Sequence, residues 1–546
     1  MKRKAVAAVL TAVMVASMFT GCGSDNGSSS AKSASAASAA SAANDTVDED
    51  GKVNGIMYQE GLPLVDEGDY TFSIFCDDSS ESGEFIMLDE FKKQTNVDVD
   101  LKIYPYETAT ERLNLDLNSG DYADVIGGWT LSDNAILTYG VNQGVFIPLE
   151  DYFEKYCPNI SAILELPGVR EKMTAPDGHI YTIPYVCGDT TVGYSPYINT
   201  KWLENVGMSM PTTTDEFEAV LKAFKEQDAN GNGDASDEIP FSTDPNNKHI
   251  EAMAGYFGLP MNKLGIAIQD EKVVYGGVSN TYREFLSWFH KLYADGLVDV
   301  ELYTQDSSTW EGKGNQDLYG VSIAYGSNEF TGIPAAEERG DFDSMPVLNT
   351  DKGGIWLRDT EGFSVYRTQA VITNKAEHPE IICRWFDNAF ALENGIGCNR
   401  GPVGVIVNKE DDGYHAIDTT TLSEEDQEKY SWSNLWPQSL PKYLPADFEF
   451  VEEHPMYDEK KATEEAYEAN LTKEIIPSYW IDLDKIDTFS DTNTAIKDFF
   501  EQQQAQFVCG ELDIDNDADW QAYVDGMYSL GLEDWVATQG IEEIAK

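Results

Sequence analysis

The chain has 546 residues, which is too many for a single hydrophobic core and predicts two lobes or domains. Hydrophobic residues make up 42% of the sequence and aromatic residues 12%, a composition that excludes a disordered protein. The formal net charge of −59 excludes binding to nucleic acid through its phosphates and predicts a soluble, self-repelling surface.

The N-terminus has the parts of a bacterial secretion signal. Three basic residues at 2–4 precede an apolar stretch at 5–19, which is too short to span a bilayer. The next letters, MFTGC, resemble a lipobox, in which Cys22 would receive diacylglycerol, although Phe19 stands where a leucine is usual. We predict a signal peptide at 1–21 and lipid attachment at Cys22. The alternative is a soluble secreted protein with a stray cysteine.

A flexible tether is predicted to follow, at 22–66. Residues 23–45 are rich in serine and alanine and have almost no side chain able to build a core. Such a segment would hold a folded body away from a lipid anchor.

The remaining six cysteines do not suggest a disulfide framework. They are widely scattered and include no C-x-x-C pair, and a chain of this length does not need disulfides to be stable. Buried free thiols are therefore expected, while pairing stays open. These residues are Cys76, Cys157, Cys187, Cys383, Cys398 and Cys509.

Strand and helix patterns alternate at the start of the folded part. YTFSIFC at 70–76 and VDVDLKIYP at 97–105 are typical of strands, and each precedes a helical pattern. The second helix is expected to stop near Gly120, and a short apolar strand follows at 123–129. This alternation predicts an α/β lobe with a mostly parallel sheet.

A second region begins after residue 186 and repeats the alternation. Thr213 and Glu216 have the spacing of a capping box before an apolar helical stripe. YREFLSWFHKLYADG predicts another helix, with Gly296 as its stop, and YGVSIAYGS at 319–327 predicts a buried strand. The C-terminal stretch has helical patterns, and no fixed-period repeat is present.

The order of these motifs resembles one protein family. The landmarks, in chain order, are LDEFKKQTNVDV, SGDYADVIGGW, PDGHIYTIPY, YINTKWLENVGMSMPTTTDEFEAVLKAF, DANGNGDASDEIPF, WFHKLYADGLVD and GELDIDNDADWQAYVDGMYSLGLEDW. From about Tyr70 to the C-terminus, the chain resembles the extracellular solute-binding proteins of bacterial ABC importers, in the sugar-binding group called family 1.

The resemblance implies an α/β, two-lobe, periplasmic-binding-protein-like type 2 fold with a hinge between the lobes. It places crossings between the lobes near Val186–Tyr194, near Gly362–Tyr366 and after about Val405. The implied N-terminal lobe comprises 67–188 and 365–412. The implied C-terminal lobe comprises 189–364 and 413–546, with a helical C-terminal extension. Closure would then be a hinge motion around a bound ligand.

The stretch DANGNGDASDEIP begins like a calcium-binding EF-hand loop. Asp228, Asn230 and Asn232 stand at positions 1, 3 and 5, and glycine follows at position 6. The loop departs at position 12, where Ile239 replaces the bidentate glutamate. Related sugar binders have a similar loop with an acidic pair soon after the glycine. The expected calcium ligands are Asp228, Asn230, Asn232, Asp237 and Glu238 through side chains, and Asp234 through its carbonyl. A polar turn is the alternative.

Sugars bind to aromatic faces and to polar side chains that accept or donate to hydroxyl groups. Candidates therefore lie at strand ends and in glycine-rich loops of the implied cleft. They are Asp77, Asp78, Trp129, Tyr185, Trp310, Tyr325, Trp356 and Arg400. For each of them, ordinary packing is the alternative.

No catalytic motif was found: the chain has no G-x-S-x-G, P-loop or H-E-x-x-H, and its six histidines are scattered. We therefore predict a monomeric, non-enzymatic receptor, lipid-anchored on the outer face of the membrane. It would capture a carbohydrate, expected to be an oligosaccharide, for an ABC permease. The alternatives are a non-sugar ligand such as a peptide, a receptor that feeds a sensor, and a carbohydrate-active enzyme.

Overall fold

A computed structural model describes residues 45–78, 84–245, 249–332, 340–417, 419–446, 448, 450–451 and 455–545, with the backbone alone at 107, 420 and 455–458. The predicted signal peptide, Cys22 and the tether as far as residue 44 lie outside these described residues. Within them, no helix combines the length and the apolar character needed to cross a membrane.

The strands of the described residues, numbered in chain order, are β1 Lys52–Val53, β2 Met57–Tyr58, β3 Tyr70–Asp77, β4 Val97–Tyr104, β5 Val125–Gly127, β6 Thr182–Gly188, β7 Ser195–Asn199, β8 Ile239–Thr243, β9 Ile266–Gln269, β10 Lys272–Tyr275, β11 Tyr319–Ala324, β12 Phe342–Ser344, β13 Trp356–Arg358, β14 Phe363–Ile372, β15 Val407–Glu410, β16 Gly413–Ala416, β17 Leu471–Ile475 and β18 Glu543–Ile544.

The α-helices of the same residues are Ile86–Thr95, Tyr106–Ser119, Asp133–Ala135, Glu150–Tyr156, Pro158–Leu164, Val169–Met173, Thr200–Val206, Thr214–Glu226, Asn280–Ala294, Ser307–Asn315, Asn328–Thr331, Pro379–Ala389, Leu392–Arg400, Glu424–Lys429, Pro455–Tyr467, Ile486–Cys509, Asp517–Ser529 and Leu532–Thr538. A π-helix spans Ile136–Asn142. The 3₁₀-helices are Ile250–Phe257, Thr419–Thr421, Trp432–Asn434, Glu468–Asn470 and Leu483–Lys485.

The N-terminal lobe is built on a five-stranded sheet in the order β4–β3–β5–β14–β6. β3 runs parallel to β4 and to β5, as the alternation of strand and helix predicts. β14 runs antiparallel to β5 and to β6, because it arrives from the other lobe and not through a helical crossover on this sheet. Four of the five strands therefore run in the same direction, as predicted, and β14 is the one antiparallel strand of this sheet.

Each face of this sheet carries a hydrophobic core. Side chains alternate along β3, so that Phe72 and Ile74 enter one core together with Trp385. Phe75 enters the core on the opposite face, where it meets Leu113 of the helix Tyr106–Ser119. A two-sided core is what a doubly wound α/β lobe requires.

The folded part begins earlier than predicted. Val53, Met57, Leu64 and Val65 are at most 1% exposed and pack in the same core as Phe72. The hairpin of β1 and β2 brings them there. The prediction of a tether is therefore wrong for residues 45–66, because these apolar side chains complete the N-terminal lobe.

The C-terminal lobe is built on the four-stranded sheet β12–β7–β11–β8, in which β8 is parallel to β11 and β7 is antiparallel to both β11 and β12. The predicted N-cap of the helix Thr214–Glu226 is present, since Thr213 Oγ1 accepts from the backbone nitrogen of Glu216 at 3.2 Å, while Glu216 Oε2 accepts from the Thr212 nitrogen at 2.9 Å. Phe285 and Phe289 of the helix Asn280–Ala294 are fully buried in the core of this lobe. Gly296, with a φ of 66°, follows that helix closely, as predicted.

The first two connections between the lobes lie where they were expected. The chain leaves the five-stranded sheet at the end of β6 and enters the four-stranded sheet at β7, so residues 189–194 connect the lobes. It returns between β13 and β14, at residues 359–362.

The third connection lies later than predicted. Trp436 and Leu440 are fully buried in the core of the N-terminal lobe, and Trp436 stacks on Trp385 at 5.7 Å. The backbone nitrogen of Leu444 donates to Val186 O of β6 at 3.0 Å. The predicted return after about Val405 and the boundary at residue 413 are therefore wrong, because the chain stays on the N-terminal lobe at least as far as Leu444.

The C-terminal region belongs to both lobes. Ile481 and Ile486 pack in the N-terminal lobe, in the core that contains Phe75. The helix Ile486–Cys509 then carries Phe500 and Phe507 into the core of the C-terminal lobe. This helix is thus a further physical link between the lobes, in addition to the connecting segments.

All six cysteines of the described residues are free thiols. Cys76, Cys157, Cys383 and Cys398 are buried, whereas Cys509 is exposed. Burial raises the pKa of Cys398 well above its usual value, which keeps that thiol protonated and unreactive.

Candidate ligand-binding cleft

A cavity of about 370 Å³ lies between the lobes, at the connecting segments 189–194 and 359–362. A volume of this size is in the range of small-molecule sites. The described residues that line it are Asp189, Thr190, Gly193, Tyr194, His249, Ala252, Met261, Asn262, Tyr325, Trp356, Leu357, Asp359, Thr360, Ser364 and Tyr366. Both lobes and both connecting segments therefore contribute to its wall.

Asp189 is the centre of the polar network in this wall. Its Oδ1 accepts from the Tyr325 hydroxyl at 3.1 Å and from the Thr190 backbone nitrogen at 2.8 Å. Its Oδ2 accepts from Ser364 Oγ at 2.5 Å and from the Tyr366 hydroxyl at 3.0 Å. Because Tyr325 follows β11 and Tyr366 lies on β14, this single carboxylate joins the two lobes.

Aromatic rings of the N-terminal lobe stand together beside the cavity. Tyr366 stacks on Tyr185, with 5.5 Å between ring centroids, and Trp129 meets Tyr366 edge-on at 5.3 Å. Trp129 is 45% exposed because the turn after β5 points it outward. That turn depends on Gly128, whose φ is 131°, and on Asp77, whose Oδ1 accepts from the Trp129 nitrogen at 2.9 Å.

The C-terminal lobe contributes a second aromatic group. Tyr194 stacks on His249 at 4.1 Å and meets Tyr325 edge-on at 6.0 Å. The Nζ of Lys460 lies 3.6 Å from the centroid of the Tyr325 ring, a cation–π contact. Burial lowers the pKa of His249 to about 4, so that this imidazole is neutral at physiological pH.

Three ionisable groups in or behind the cavity wall have pKa values near neutral pH. Burial raises the pKa of Asp359 to about 6 and that of Glu329 to about 7, and it lowers the pKa of Lys460 to about 8. Asp359 Oδ2 accepts from the Gly193 nitrogen at 2.7 Å, and water also reaches this side chain. Lys460 Nζ donates to Gly193 O at 3.1 Å.

The candidates from the sequence fall into distinct groups. Tyr325 and Trp356 line the cavity, although Trp356 is only 1% exposed. Trp129 and Tyr185 touch the lining residue Tyr366, and Asp77 holds the turn that presents Trp129.

Three candidates have other surroundings. Trp310 is 3% exposed and its Nε1 donates to Ser322 Oγ at 3.2 Å, so the expectation of a cleft residue is wrong and this ring belongs to the core. Asp78 is buried and its Oδ2 accepts from the Gln438 nitrogen at 2.8 Å. Neither Asp78 nor Arg400 is among the described residues that line the cavity.

Sequence reasoning missed Asp189, Tyr194, His249, Asp359 and Tyr366. All except His249 lie in or directly beside the two connecting segments, which the family resemblance had located correctly. A segment that joins two lobes must border the cleft between them. This geometric rule, applied to GDTTVGY and RDTEGFSVY, is the signal that would have found four of the five.

The predicted calcium loop turns at Gly233, whose φ is 95° and whose nitrogen donates to Asp228 Oδ2 at 3.0 Å. Asp237 holds the loop from the other side, since it accepts from the side-chain nitrogens of Asn230 at 3.3 Å and Asn232 at 2.7 Å. The Asp234 nitrogen donates to Asn232 Oδ1 at 2.7 Å.

Two oxygen atoms of this loop have no partner among the described residues. Asp228 Oδ1 and Glu238 Oε2 are both buried and make no hydrogen bond. Burial raises the pKa of Glu238, as expected of a carboxyl group whose charge is not compensated. Unpaired buried oxygens of carboxylate groups, on a glycine turn rich in oxygen donors, fit a hard cation such as Ca²⁺.

Comparison with known proteins agrees with this architecture. The chain matches the family described as bacterial extracellular solute-binding protein over residues 78–395, more than half of its length. It is 32% identical over 411 residues to the fructooligosaccharide ABC transporter substrate-binding protein FusA of Streptococcus pneumoniae, covering 73% of this chain and 70% of FusA. It is 28% identical over 277 residues to the lipoprotein LipO of Bacillus subtilis, covering 50% of this chain and 52% of LipO.

Solved structures of pneumococcal FusA are also similar to this chain. One contains kestose, and another is an EF-hand mutant in complex with fructo-nystose. Their TM-scores are 0.74 and 0.73, both at 26% identity, and each match covers 86% of this chain and 98% of FusA.

Two α/β lobes with a cavity at their connecting segments define a two-lobe ligand-binding protein. The family match then makes the assignment specific: the chain belongs to the bacterial extracellular solute-binding proteins, as the order of motifs in its sequence had indicated.

Proposed function

We propose that the chain captures an oligosaccharide in the cleft between its lobes and delivers it to the permease of an ABC importer. The observation that carries this proposal is the meeting of aromatic rings from both lobes around one polar cavity. The similarity to FusA, a fructooligosaccharide-binding protein of an ABC transporter, supports the same ligand class.

The arrangement is suited to binding rather than to chemistry. The faces of Trp129 and Tyr366 offer apolar surface to the C–H faces of a sugar ring, and Asp359 and Asn262 offer hydrogen-bonding groups to its hydroxyls. Because residues 189–194 and 359–362 form both the hinge and part of the wall, a ligand in the cavity touches the segments that must bend during closure.

The test is isothermal titration of purified protein with kestose and with other neutral oligosaccharides. We expect one sugar class to bind and to be recovered unchanged. Trp129→Ala is expected to weaken its binding at least about tenfold, since burying a large apolar side chain contributes about 1.5–3 kcal/mol. The matched control is Tyr528→Ala, which removes an exposed ring from the helix Asp517–Ser529 and should leave the affinity unchanged.

Other outcomes of this titration favour the competing functions. Binding of peptides or amino acids in place of sugars would contradict the carbohydrate assignment while leaving the family assignment intact. Recovery of a cleaved sugar would indicate an enzyme. Equal loss of affinity in Trp129→Ala and Tyr528→Ala would contradict binding of the sugar at the cleft beside Trp129.

We propose further that the loop at 228–238 holds one structural calcium ion. Its ligands would be the side chains of Asp228, Asn230, Asn232, Asp237 and Glu238 and the carbonyl of Asp234. When bound, the ion would neutralise the unpaired oxygens of Asp228 and Glu238 and so stabilise the loop after the helix Thr214–Glu226.

The calcium proposal predicts that Ca²⁺ raises the melting temperature of the native chain and that excess chelator lowers it, because a ligand bound only to the folded state stabilises it. Asp228→Asn should abolish this response, whereas Asp270→Asn, in an exposed turn, should retain it. If neither calcium nor chelator changes the melting temperature of the wild type, the proposed calcium site is refuted.

Attachment at the outer face of the membrane through Cys22 completes the proposed function. The Gly-Cys sequence after an apolar stretch supports it, and so does the similarity to LipO, which is a lipoprotein. Cys22→Ser should move the full-length chain from the membrane fraction to the medium. Retention of that variant in the membrane fraction would contradict lipid attachment at this residue. A monomeric receptor is expected, because its two lobes already enclose the cavity.

A further inference from the structure

The residues that line the cavity carry more negative than positive charge. Asp189 and Asp359 line the cavity, and the described lining residues include no lysine or arginine. His249, the one imidazole in this wall, is neutral because burial lowers its pKa to about 4. A ligand in the cavity is therefore exposed to the field of carboxylates.

The carboxylate of Asp189 is held in place by hydrogen bonds. Its two oxygens accept four hydrogen bonds, two of them from the hydroxyls of Tyr325 and Tyr366. Moving this carboxylate would leave four donors unpaired, three of them in partly buried hydrogen bonds, which is costly. By contrast, Asp359 accepts one hydrogen bond among the described residues, from the Gly193 nitrogen, so its other oxygen can accept from a ligand hydroxyl.

Lys460 is a cation close to this wall, and its ammonium group already has partners. It lies behind the wall, over the Tyr325 ring, and it donates to the carbonyl of Gly193. Four carboxylates act on its charge, those of Glu329, Glu459, Asp189 and Asp359. The ammonium group thus offsets only part of the negative charge around it.

We infer that Asp189 and Asp359 act as a charge filter, which admits uncharged oligosaccharides and rejects those that place a uronate carboxylate in the cavity. This inference rests on the proposed function. A neutral sugar can donate a hydroxyl hydrogen to Asp359, whereas a uronate brings a like charge against two carboxylates in a partly dehydrated cleft. Asp359 is the residue that sets this specificity, because it can contact the ligand. Asp189 adds a negative charge whose position does not change.

The test uses three matched probes: kestose, kestose with a primary hydroxyl oxidised to a carboxylate, and the amide of that oxidised sugar. The amide has the shape of the uronate without its charge. At pH 7.5 and low salt, we expect the wild type to bind kestose and the amide with similar affinity and the uronate at least about tenfold more weakly. Asp359→Asn should narrow the ratio between amide and uronate at least about threefold. Asp525→Asn, which removes an exposed carboxylate from a C-terminal helix, should not change the ratio.

A pH series separates charge from shape. Burial raises the pKa of Asp359 to about 6, so lowering the pH from 7.5 to 5.5 protonates much of it, while the uronate stays ionised. The groups that face Asp359 are Asp189 and Lys460, and Glu329, which titrates near pH 7, faces Lys460 in turn. Discrimination against the uronate should therefore weaken at low pH in the wild type and weaken less in Asp359→Asn.

Two results would overturn the inference, and they are distinguishable. If the wild type binds the uronate as tightly as the amide, or more tightly, the charge filter fails and the oligosaccharide receptor stands. If no probe and no other neutral oligosaccharide binds, the proposed function fails, and the filter fails with it.

Discussion

The contacts around Arg367, here called the clamp, offer a sharp test of how residues 478–480, which return to the N-terminal lobe, are held there. Arg367 lies on β14 and is 5% exposed. Its guanidinium forms a forked ion pair with Asp133, with Nε to Oδ1 at 2.8 Å, and donates to the carbonyls of Ser478 and Tyr479. It also stacks over the ring of Trp480 at 4.1 Å. One side chain thus holds three consecutive residues of the segment that returns to this lobe.

The magnitude follows from what Arg367→Ala would leave behind. Breaking a buried ion pair costs about 3–5 kcal/mol, and the partial exposure of Asp133 puts this case at the lower end, about 3 kcal/mol. If that free energy holds the segment closed, its open population rises about 100-fold. Arg367→Lys keeps the charge but loses the fork and most of the stacking, so it should lie between the wild type and the alanine variant.

The assay is limited chymotrypsin digestion, with cleavage after Tyr479 or Trp480 followed by mass spectrometry, because proteolysis reports the open population when opening is fast. Arg283→Ala is the matched control. Arg283 also pairs with an aspartate and lies 5.8 Å from a tryptophan ring, but its partner Asp517 is 96% exposed, so its removal should cost at most about 1 kcal/mol. Equal cleavage of the two alanine variants at this segment would refute the reasoning.

Two further predictions concern stability. Gly128→Ala should lower the free energy of unfolding in urea by about 2 kcal/mol and weaken ligand binding, because its φ is 131° and an added Cβ would collide with the Asp77 carboxylate. The control is Gly312→Ala, which adds its Cβ to open space on a helix and should be neutral or stabilising. Equal effects of the two substitutions would refute the role given to Gly128. Burial raises the pKa of Asp387 to about 6, so its contribution to the free energy of unfolding should fall by about 2 kcal/mol as pH rises from 4 to 6.5. Asp387→Asn should remove that fall. If the free energy of unfolding has the same pH dependence in the variant and the wild type, the prediction is contradicted.

Local signals predicted the elements well. The strand at 70–76 alternates so that Phe72 and Ile74 face one core and Phe75 the other. The helices were expected to stop near Gly120 and Gly296, and both glycines have the positive φ that ends a helix. These features depend on neighbours within a few residues, so the sequence contains them directly.

Features that depend on contacts between distant parts of the chain could not be predicted from the sequence. The strands at 52–53 and 57–58 are too short to show a period, and only the finished core explains why Val53 and Met57 are apolar. No sequence pattern within residues 413–444 indicates which lobe this segment packs against. Trp436 assigns them to the N-terminal lobe by stacking on Trp385, across 50 residues of chain. A sequence period cannot report which distant surface a segment will cover.

The candidate site shows the same limit at the level of single residues. Trp129 and Trp310 both lie near glycines, yet the first is 45% exposed and the second 3%. The difference lies in backbone direction, since the turn at Gly128 points Trp129 outward, whereas Trp310 lies on a helix that packs against Phe330. Composition around a residue predicts a glycine-rich loop, but not whether that loop turns its aromatic ring toward solvent.

The connecting segments and the candidate cleft share residues, and this limits how the lobes could move when the cavity is filled. Tyr366 lines the cavity, and the next residue, Arg367, holds the segment at 478–480. Asp189, in the first connection, bonds to Tyr366 as well as to Tyr325 of the other lobe. A sugar that competes for the Tyr366 hydroxyl would therefore disturb a hydrogen bond between β14 and the first connection, one residue away from Arg367. Because these hydrogen bonds tie the cavity wall to both lobes, a ligand that rearranges the wall also changes the restraints on lobe motion.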